Sequence, residues 1–386
     1  MPRRPSQGGC PEPVNDSKSS RYNRSRRRAD GIALLLAVAC LAALVLTPAS
    51  VALRSIVGGS PAAFAAVLLV LHGLVQLPLA WYRGLHLERQ YALSDITGST
   101  WLAARLKAGV VIVMVLVPLA QFIYWSMRWP RFWWAAAAGA CAAMLAVLAA
   151  LGPVLIVPVL QRSRPLSQPV LRQRLEGLSA RAGVRVLDIH ELPFGERTRR
   201  ASAALVGAGA TRRIVLSDTL LADYTDDEIE VMLAHEMGHH VHRHPMKSML
   251  VEAALLFAGF ALAHAVLRAS WRMLGLTSPA DVAGLPLIVA SVGGVLLAAT
   301  PLLNAWSRAH ERRADRFALR TASEPAAFIG AVRRMAAQNL AEEHPSNTAF
   351  LLFHTHPTAE ERIASAREML QNRVDRRARE EPRTGN

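Results

Sequence analysis

Five histidines and one glutamate fall within "VMLAHEMGHHVHRHP", residues 231–245. His235 and His239 stand four residues apart, so on a helix they share one face, a turn apart, and two imidazoles placed that way can grip one tetrahedral ion. Glu236 follows the first of them, which turns its carboxylate toward the open side of such a site, where a water would be activated. A structural metal site has no use for that base. The chain's own His and Glu frequencies give roughly 0.02 chance matches to H-E-x-x-H, so catalysis is favoured over a polar helical stripe. His240 points about 100° from His239, while His242 and His244 approach the helix end set by Pro245; these three are expected to be exposed or helix-terminal.

Two histidines leave a catalytic metal under-coordinated, because such sites supply three protein ligands and keep one position open. The third comes from elsewhere in the chain. In "NAWSRAHERRADRFALR", residues 304–320, Glu311 and Asp315 share a helical face, with Arg308 one turn earlier. Alone, this stretch reads as a salt-bridged helix end at a membrane surface. Beside an H-E-x-x-H motif, Glu311 becomes the third ligand, and Asp315 can accept a hydrogen bond from a ligand histidine and fix its orientation. His310 is the competing ligand, but it points off that face. One zinc per chain is the expected cofactor, although these ligand types accept other divalent ions.

The elements that must position these residues are legible in outline. Thr225 and Glu228 in "YTDDEIEVMLAHEMGHH" form a capping box, and Ile229, Val231, Met232 and Leu233 follow it, which places the motif in a partly buried helix. The chain has 386 residues and is 52% hydrophobic, too apolar for an ordinary soluble protein. Its apolar excess lies in six runs long enough to cross a bilayer, at roughly 31–53, 62–82, 106–126, 132–160, 248–268 and 283–305. The first reads as a signal anchor rather than a signal peptide, since further spans follow at once. Gln76 and His72 in the second run and Glu252 in the fifth are costly against lipid and are expected to face protein or water.

The formal charge of +15 is carried mostly by arginines that flank the spans. No aromatic-interleaved basic patch accompanies them, so membrane lipid, not nucleic acid, is the expected partner. Arg24, Arg26, Arg27 and Arg28 place the N-terminus in the cytoplasm, and four crossings return the chain there before residue 161. Cys40 and Cys141 lie in apolar spans and Cys10 in the polar arm, which excludes a disulfide framework. Residues 1–30 and 367–386 read as a disordered basic arm and tail. Between the fourth and fifth spans, "QPVLRQRLEGLSARAG" is helix-like and "VRVLDIHEL" strand-like.

At this point the chain resembles the M48 metallopeptidases, which join H-E-x-G-H to a later S-R-x-x-E-x-x-A-D. Here these are His235 to His239, then Ser307-Arg308, Glu311 and Ala314-Asp315. "RIVLSDTLL", residues 213–221, is similar to the strand and turn before the catalytic helix. "QNLAEEHPSNTAFLLFHTHPTAEERI", residues 338–363, resembles the segment ending in S-x-H-P-x-x-x-R-I, with Thr355 in the usual serine position. "LERQYALSDITGSTWLAARLKA", residues 87–108, and the four preceding crossings resemble the Ste24-type CAAX prenyl proteases more than the HtpX-type quality-control proteases. Where that pattern has an asparagine beside the active site, this chain has Ser202. The resemblance implies that His356 contacts the substrate or transition state and that Arg362 braces the site.

The expected architecture is therefore a mostly α, polytopic membrane protein of about six transmembrane helices. A four-helix transmembrane region (31–160) precedes a cytoplasmic α+β zincin-like peptidase domain (161–366), interrupted by a membrane hairpin at about 248–305. The expected activity is zinc-dependent hydrolysis of membrane-associated or lipid-modified polypeptides at the plasma membrane. The competing readings are an HtpX-like quality-control protease and a non-enzymatic, zinc-stabilised membrane scaffold or sensor. Glu236 speaks against the scaffold.

Overall fold

Thr47-Pro48 breaks the first apolar run: proline lacks an N–H and has a fixed φ, so helix α1 (Val14–Leu46) stops there. The short α2 (Ala49–Val57) follows and ends at Gly58, whose φ of +72° suits glycine. In the computed structural model, which describes residues 14–151, 163–193, 201–206 and 212–380, four more apolar helices complete the pattern. They are α3 (Pro61–Trp81), α4 (Gly98–Ser126), α5 (Trp133–Leu151) and, after the sheet, α8 (His244–Ser270). The sixth is α9 (Leu285–Thr321), which continues well past its apolar half. All six are long and apolar enough to span a bilayer and bury only 11–33% of their most apolar windows, which leaves most of that surface for hydrocarbon. Residues 152–162, the end of the expected fourth run, lie outside the described residues.

Neighbouring helices close these spans into a ring in the order α1, α3, α4, α5, α8, α9 and back to α1. At the end of the ring away from the histidine motif, Phe64, Ile123, Trp133, Phe260, Leu267 and Ile288 pack into an apolar plug. Arg54 on α2 pairs there with the buried Asp281, and Ser50 donates to the carbonyl of Ala283 at 2.6 Å. Gly259 lets α8 meet α9 closely, since a β-carbon there would sit 2.9 Å from the Cα of Val292. Gln76 is enclosed by protein, as expected, and donates to the carbonyl of Ala33, whereas His72 and Glu252 are exposed.

At the other end a four-stranded sheet, ordered β1 (Arg164–Pro165), β2 (Asp188–Leu192), β4 (Arg213–Ser217), β3 (Ala203–Val206), packs with the helices of the motif-bearing domain. β2 and β4 are parallel, and β3 is an antiparallel edge. Helix α6 (Pro169–Arg181) contributes Leu171, Leu175 and Leu178, spaced three and four apart, to a core shared with Ile189, Ile214 and Leu216 of the sheet and Leu233 of helix α7 (Asp226–Val241). The α+β element expected between the fourth and fifth spans is thus present. After α9 come α10 (Ala327–Gln338), α11 (Asn347–Phe353) and α12 (Ala359–Glu380).

Two segments expected to be disordered are helical instead. From Val14 the basic arm is already part of α1, with Tyr22 only 1% exposed against Leu87, Leu93 and Leu340. Ser19 donates to the carbonyl of Ala341 at 2.6 Å, Asn23 to that of Leu340 at 2.7 Å, and Arg27 pairs with Glu342. Composition hid this because the partners are non-local, and those that hydrogen-bond Ser19, Asn23 and Arg27 lie more than 300 residues away. Residues 1–13 lie outside the described residues. The tail continues α12 to Glu380, supported by an i, i+4 hydrogen bond between Gln371 and Asp375.

Glu230, in the first half of α7 and 1% exposed, ties three elements together. It accepts from Arg174 and Arg181 of α6 and from the backbone and hydroxyl of Ser323, just beyond α9. Burial pushes its carboxyl up, but the hydrogen bonds from Arg174 and Ser323 outweigh that and hold it below the usual range. Its folded pKa is thus lower than the unfolded value of about 4.3, so its stabilisation is present above that pH and is lost as pH falls through the folded value. Glu230→Ala should cost about 2–3 kcal/mol, less than a fully buried pair because both arginines keep some access to water. Thermal unfolding followed from pH 7 to pH 3 should show the wild-type advantage over this variant shrinking at the acid end.

Candidate active site

The capping box is formed: Thr225 accepts from the Glu228 N–H, and the Glu228 carboxylate accepts from the Thr225 N–H at 3.0 Å. With its start fixed, α7 runs His235 and His239 along the face that meets α9. Gly238 sets the distance, since a β-carbon there would lie 3.1 Å from the Cα of Ala314. This close crossing brings the Nε2 atoms of His235 and His239 to 3.3 and 3.2 Å from the two carboxylate oxygens of Glu311, and to 3.2 Å from each other. These three residues form the one cluster of metal-ligating side chains found among the described residues.

The donor set suits a divalent ion. Glu311 Oε2 is buried without an aligned hydrogen-bond donor, even though ring nitrogens of His235 and His356 lie 3.3 and 2.8 Å away. Two imidazoles and one carboxylate converging on such an atom match the composition of catalytic zinc sites. Burial lowers the His235 pKa, but hydrogen bonds to Asp315 and Glu311 raise it further, to about 9. A cation entering the cluster must displace that proton, so metal affinity rises with pH. Burial pushes the carboxyl of Glu236 above its ordinary value, against the pull of His235 and His239.

Asp315 accepts from His235 Nδ1 at 2.8 Å and is gripped by both arms of Arg362, at 2.6 and 2.9 Å. Arg308 reaches neither the cluster nor Asp315. It donates to the carbonyls of Phe350 and His354, at 3.1 and 2.7 Å, and so anchors the segment that leads into His356. Glu342 pairs with both His354 and Arg27, which links that segment to α1. His356 itself is largely exposed at the mouth of the site.

The cleft has a volume of about 360 Å³ and is walled by Ala203 on one side and Phe328, Met335 and Asn339 on the other, with Glu236 and Glu311 at its floor. Ser217 donates its N–H to the carbonyl of Ser202, so in the antiparallel register Ser202 faces β4 through its backbone, while Ala201, Ala203 and Leu205 direct theirs to the open edge. His240 bonds the Leu205 carbonyl at 3.0 Å. The outward groups of Ala201 and Ala203 are left to face the cleft. Where the sequence pattern carries Ser202, the side chain is exposed and lines the cleft.

Of the histidines expected to be exposed or helix-terminal, His242 caps the end of α7 and His244 opens α8, but none of the three is exposed, and His240 and His242 are half-buried. His244 is buried at 2% exposure, 3.1 Å from His239 through their Nδ1 atoms, and its ring stacks on His310 at 4.0 Å. Pro245 in the first turn of α8 and the left-handed backbone of Arg243 (φ +55°) fold His244 back onto α7, a return that helical spacing does not reveal. His310 is occupied by that stacking and lies off the cluster. Asn339 also escaped sequence reasoning. Its Oδ1 is buried without a partner beside the cleft, and nothing in its local pattern signals that.

A cluster of two histidines and a glutamate, a half-buried carboxylate beside it and a cleft along an edge strand, all mounted on a ring of membrane helices, define a membrane-embedded metallopeptidase. The chain belongs to Peptidase family M48, whose profile matches residues 165–370. Residues 16–162 match a second profile, described as the CAAX prenyl protease N-terminal region of five membrane helices. An uncharacterized metalloprotease of Bacillus subtilis, YhfN, is 28% identical over 78% of this chain and 72% of its own length. A CAAX prenyl protease 1 homolog of rice is 25% identical over the same shares. Ste24p of S. mikatae, a solved structure, superposes with a TM-score of 0.83 over 92% of this chain and 89% of its own, at 20% identity, which establishes the shared fold. The scaffold reading is thereby set aside: the chain is a multi-pass integral membrane metalloprotease that uses a catalytic metal and acts on polypeptides.

Gly238→Ala should force α7 off α9 and lower metal affinity while leaving the fold intact; His244→Ala should lower it about 10–100-fold by releasing His239. Zinc titration against a competing chelator measures both effects.

Proposed function

We propose that this protein is a zinc-dependent endopeptidase that cleaves membrane-associated or lipid-modified polypeptides, prenylated chains among them. The observation that carries this reading is the meeting of His235, His239 and Glu311 with a half-buried Glu236 at the base of a cleft whose floor lies on a membrane-spanning helix. The prenyl protease names of several relatives support the substrate class. The basic residues before the first span support a cytoplasmic N-terminus and catalytic site at the plasma membrane, in contact with anionic lipid.

His235, His239 and Glu311 would hold the zinc ion, which would supply the Lewis acidity that brings the pKa of water toward neutrality and polarises a scissile carbonyl. Glu236 takes the proton of the attacking water, and its raised pKa suits it to hand that proton to the leaving amine. Asp315, fixed by Arg362, holds His235 with its Nδ1 proton directed outward and its Nε2 lone pair toward the cluster. The substrate backbone lies along the free groups of Ala201 and Ala203, as an added strand on β3. His356 faces the cleft from the opposite wall and donates to the carbonyl oxygen as negative charge develops.

In detergent-purified protein, Glu236→Gln should keep about one zinc per chain and lose roughly 10²–10⁴ in kcat. Glu311→Ala should lose the metal. Activity surviving both substitutions, on a farnesylated peptide and on a casein-like chain, would sink the mechanism. Preference for the casein-like chain would instead reject the lipid-modified substrate class. His356→Ala should lower kcat by about 10²–10³ with KM little changed, since its contact strengthens only as charge develops on the oxygen.

A further inference from the structure

The end of the helix ring away from the metal cluster has an unusual charge balance. The three connections there, residues 46–60, 127–134 and 268–284, carry five arginines (Arg54, Arg128, Arg131, Arg268 and Arg272) and one carboxylate, Asp281. Arg54 takes that carboxylate. The other four have no ion-pair partner among the described residues, although Arg272 lies over the ring of Trp271. Trp125, Trp129, Trp133, Trp134 and Trp271 gather at the same level, as indoles do at the headgroup plane of a bilayer.

A cavity of about 450 Å³ opens there between α5, α8 and the connection before α9. Its polar lining is His264, Arg268 and Ser278, and its apolar lining includes Trp133, Leu267 and Trp271. The indole N–H of Trp133 donates to His264 Nδ1 at 2.8 Å. That bond makes Nδ1 the acceptor, so the proton of the neutral ring sits on Nε2, which becomes a donor. The cavity thus offers a guanidinium fork, an imidazole N–H and a hydroxyl, with apolar rings beside them and no carboxylate.

We propose that this cavity binds the headgroup of an anionic phospholipid from the leaflet opposite the catalytic domain. Arg268 pairs with the phosphate, His264 and Ser278 donate to its oxygens, and Trp133 and Leu267 pack on the glycerol and first acyl carbons. With no carboxylate in the lining, Arg268 has no counter-charge within the cavity, which favours a headgroup of net negative charge over a zwitterionic one. Ser278, Pro279 and Ala280 border the cavity immediately before Asp281, so an occupied site braces the plug that closes the ring.

The test is thermal unfolding of the full-length protein in detergent, titrated separately with phosphatidylglycerol, phosphatidylcholine and inorganic phosphate. Phosphatidylglycerol should raise the unfolding temperature saturably, and the other two should not. Arg268→Gln should weaken half-saturation about tenfold, whereas Arg105→Gln, at the catalytic end of the ring, should respond as wild type. Arg268 is exposed, so the variant should unfold at the wild-type temperature without lipid; if it does not, Arg268→Met, which keeps an apolar stem, takes its place. An equal response to phosphatidylcholine, a response to inorganic phosphate alone, or an undiminished response in the Arg268 variants would each overturn the proposal.

Discussion

The closeness of two helices at Gly238 and Ala314 is the constraint on which the site depends. One helix carries both histidines and the other carries Glu311, and neither holds a complete metal site. A β-carbon at 238 would sit 3.1 Å from the Cα of Ala314, tighter than ordinary packing, so the approach of the carboxylate to the imidazoles is set by the absence of a side chain there. The glycine inside the histidine motif and the alanine one turn beyond Glu311 are therefore as much part of the metal chemistry as the ligands. The same crossing joins the membrane to the catalytic domain, because α9 is both the last span and the bearer of Glu311.

Around that crossing, buried charges serve as fixtures. Glu230 binds α7 to α6 and to the end of α9, on the far side from the metal cluster. Asp315 and Arg362 bind it on the near side, and His244 steadies His239 from behind. Glu230 and Asp315 are buried with their carboxylates paired, which is the condition under which buried polar groups specify one arrangement instead of costing stability. Arg308 acts one step further out, by holding the carbonyls that lead into His356.

Much of this was legible in the sequence because the signals are local. The capping box, the four-residue histidine spacing and the lengths of the apolar runs each depend on residues within a few turns of one another. The burial of His244 against His239 was hidden because a left-handed residue and a proline turn it back onto the preceding helix, so its nearest partner is set by a turn and not by a period. His240 was misread because its partner is a strand carbonyl 35 residues earlier. The basic arm looked disordered because its hydrogen-bond partners lie near the other end of the chain. Composition reports what a segment can do alone, and these segments are ordered by what arrives later.

That last point bears on how the protein is made. Arg27 and its partner Glu342 are separated by 315 residues, so at a ribosomal pace of roughly 5–20 residues per second the first helix waits about 15–60 s for its dock to be synthesised. During that interval Arg27 lacks its carboxylate, although Tyr22 of the same helix has Leu87 and Leu93 to pack on much sooner. The wall of the cleft carrying Leu340, whose left-handed backbone (φ +48°) is tied down by Asn23, therefore takes its final form only when the oldest segment of the chain meets the newest.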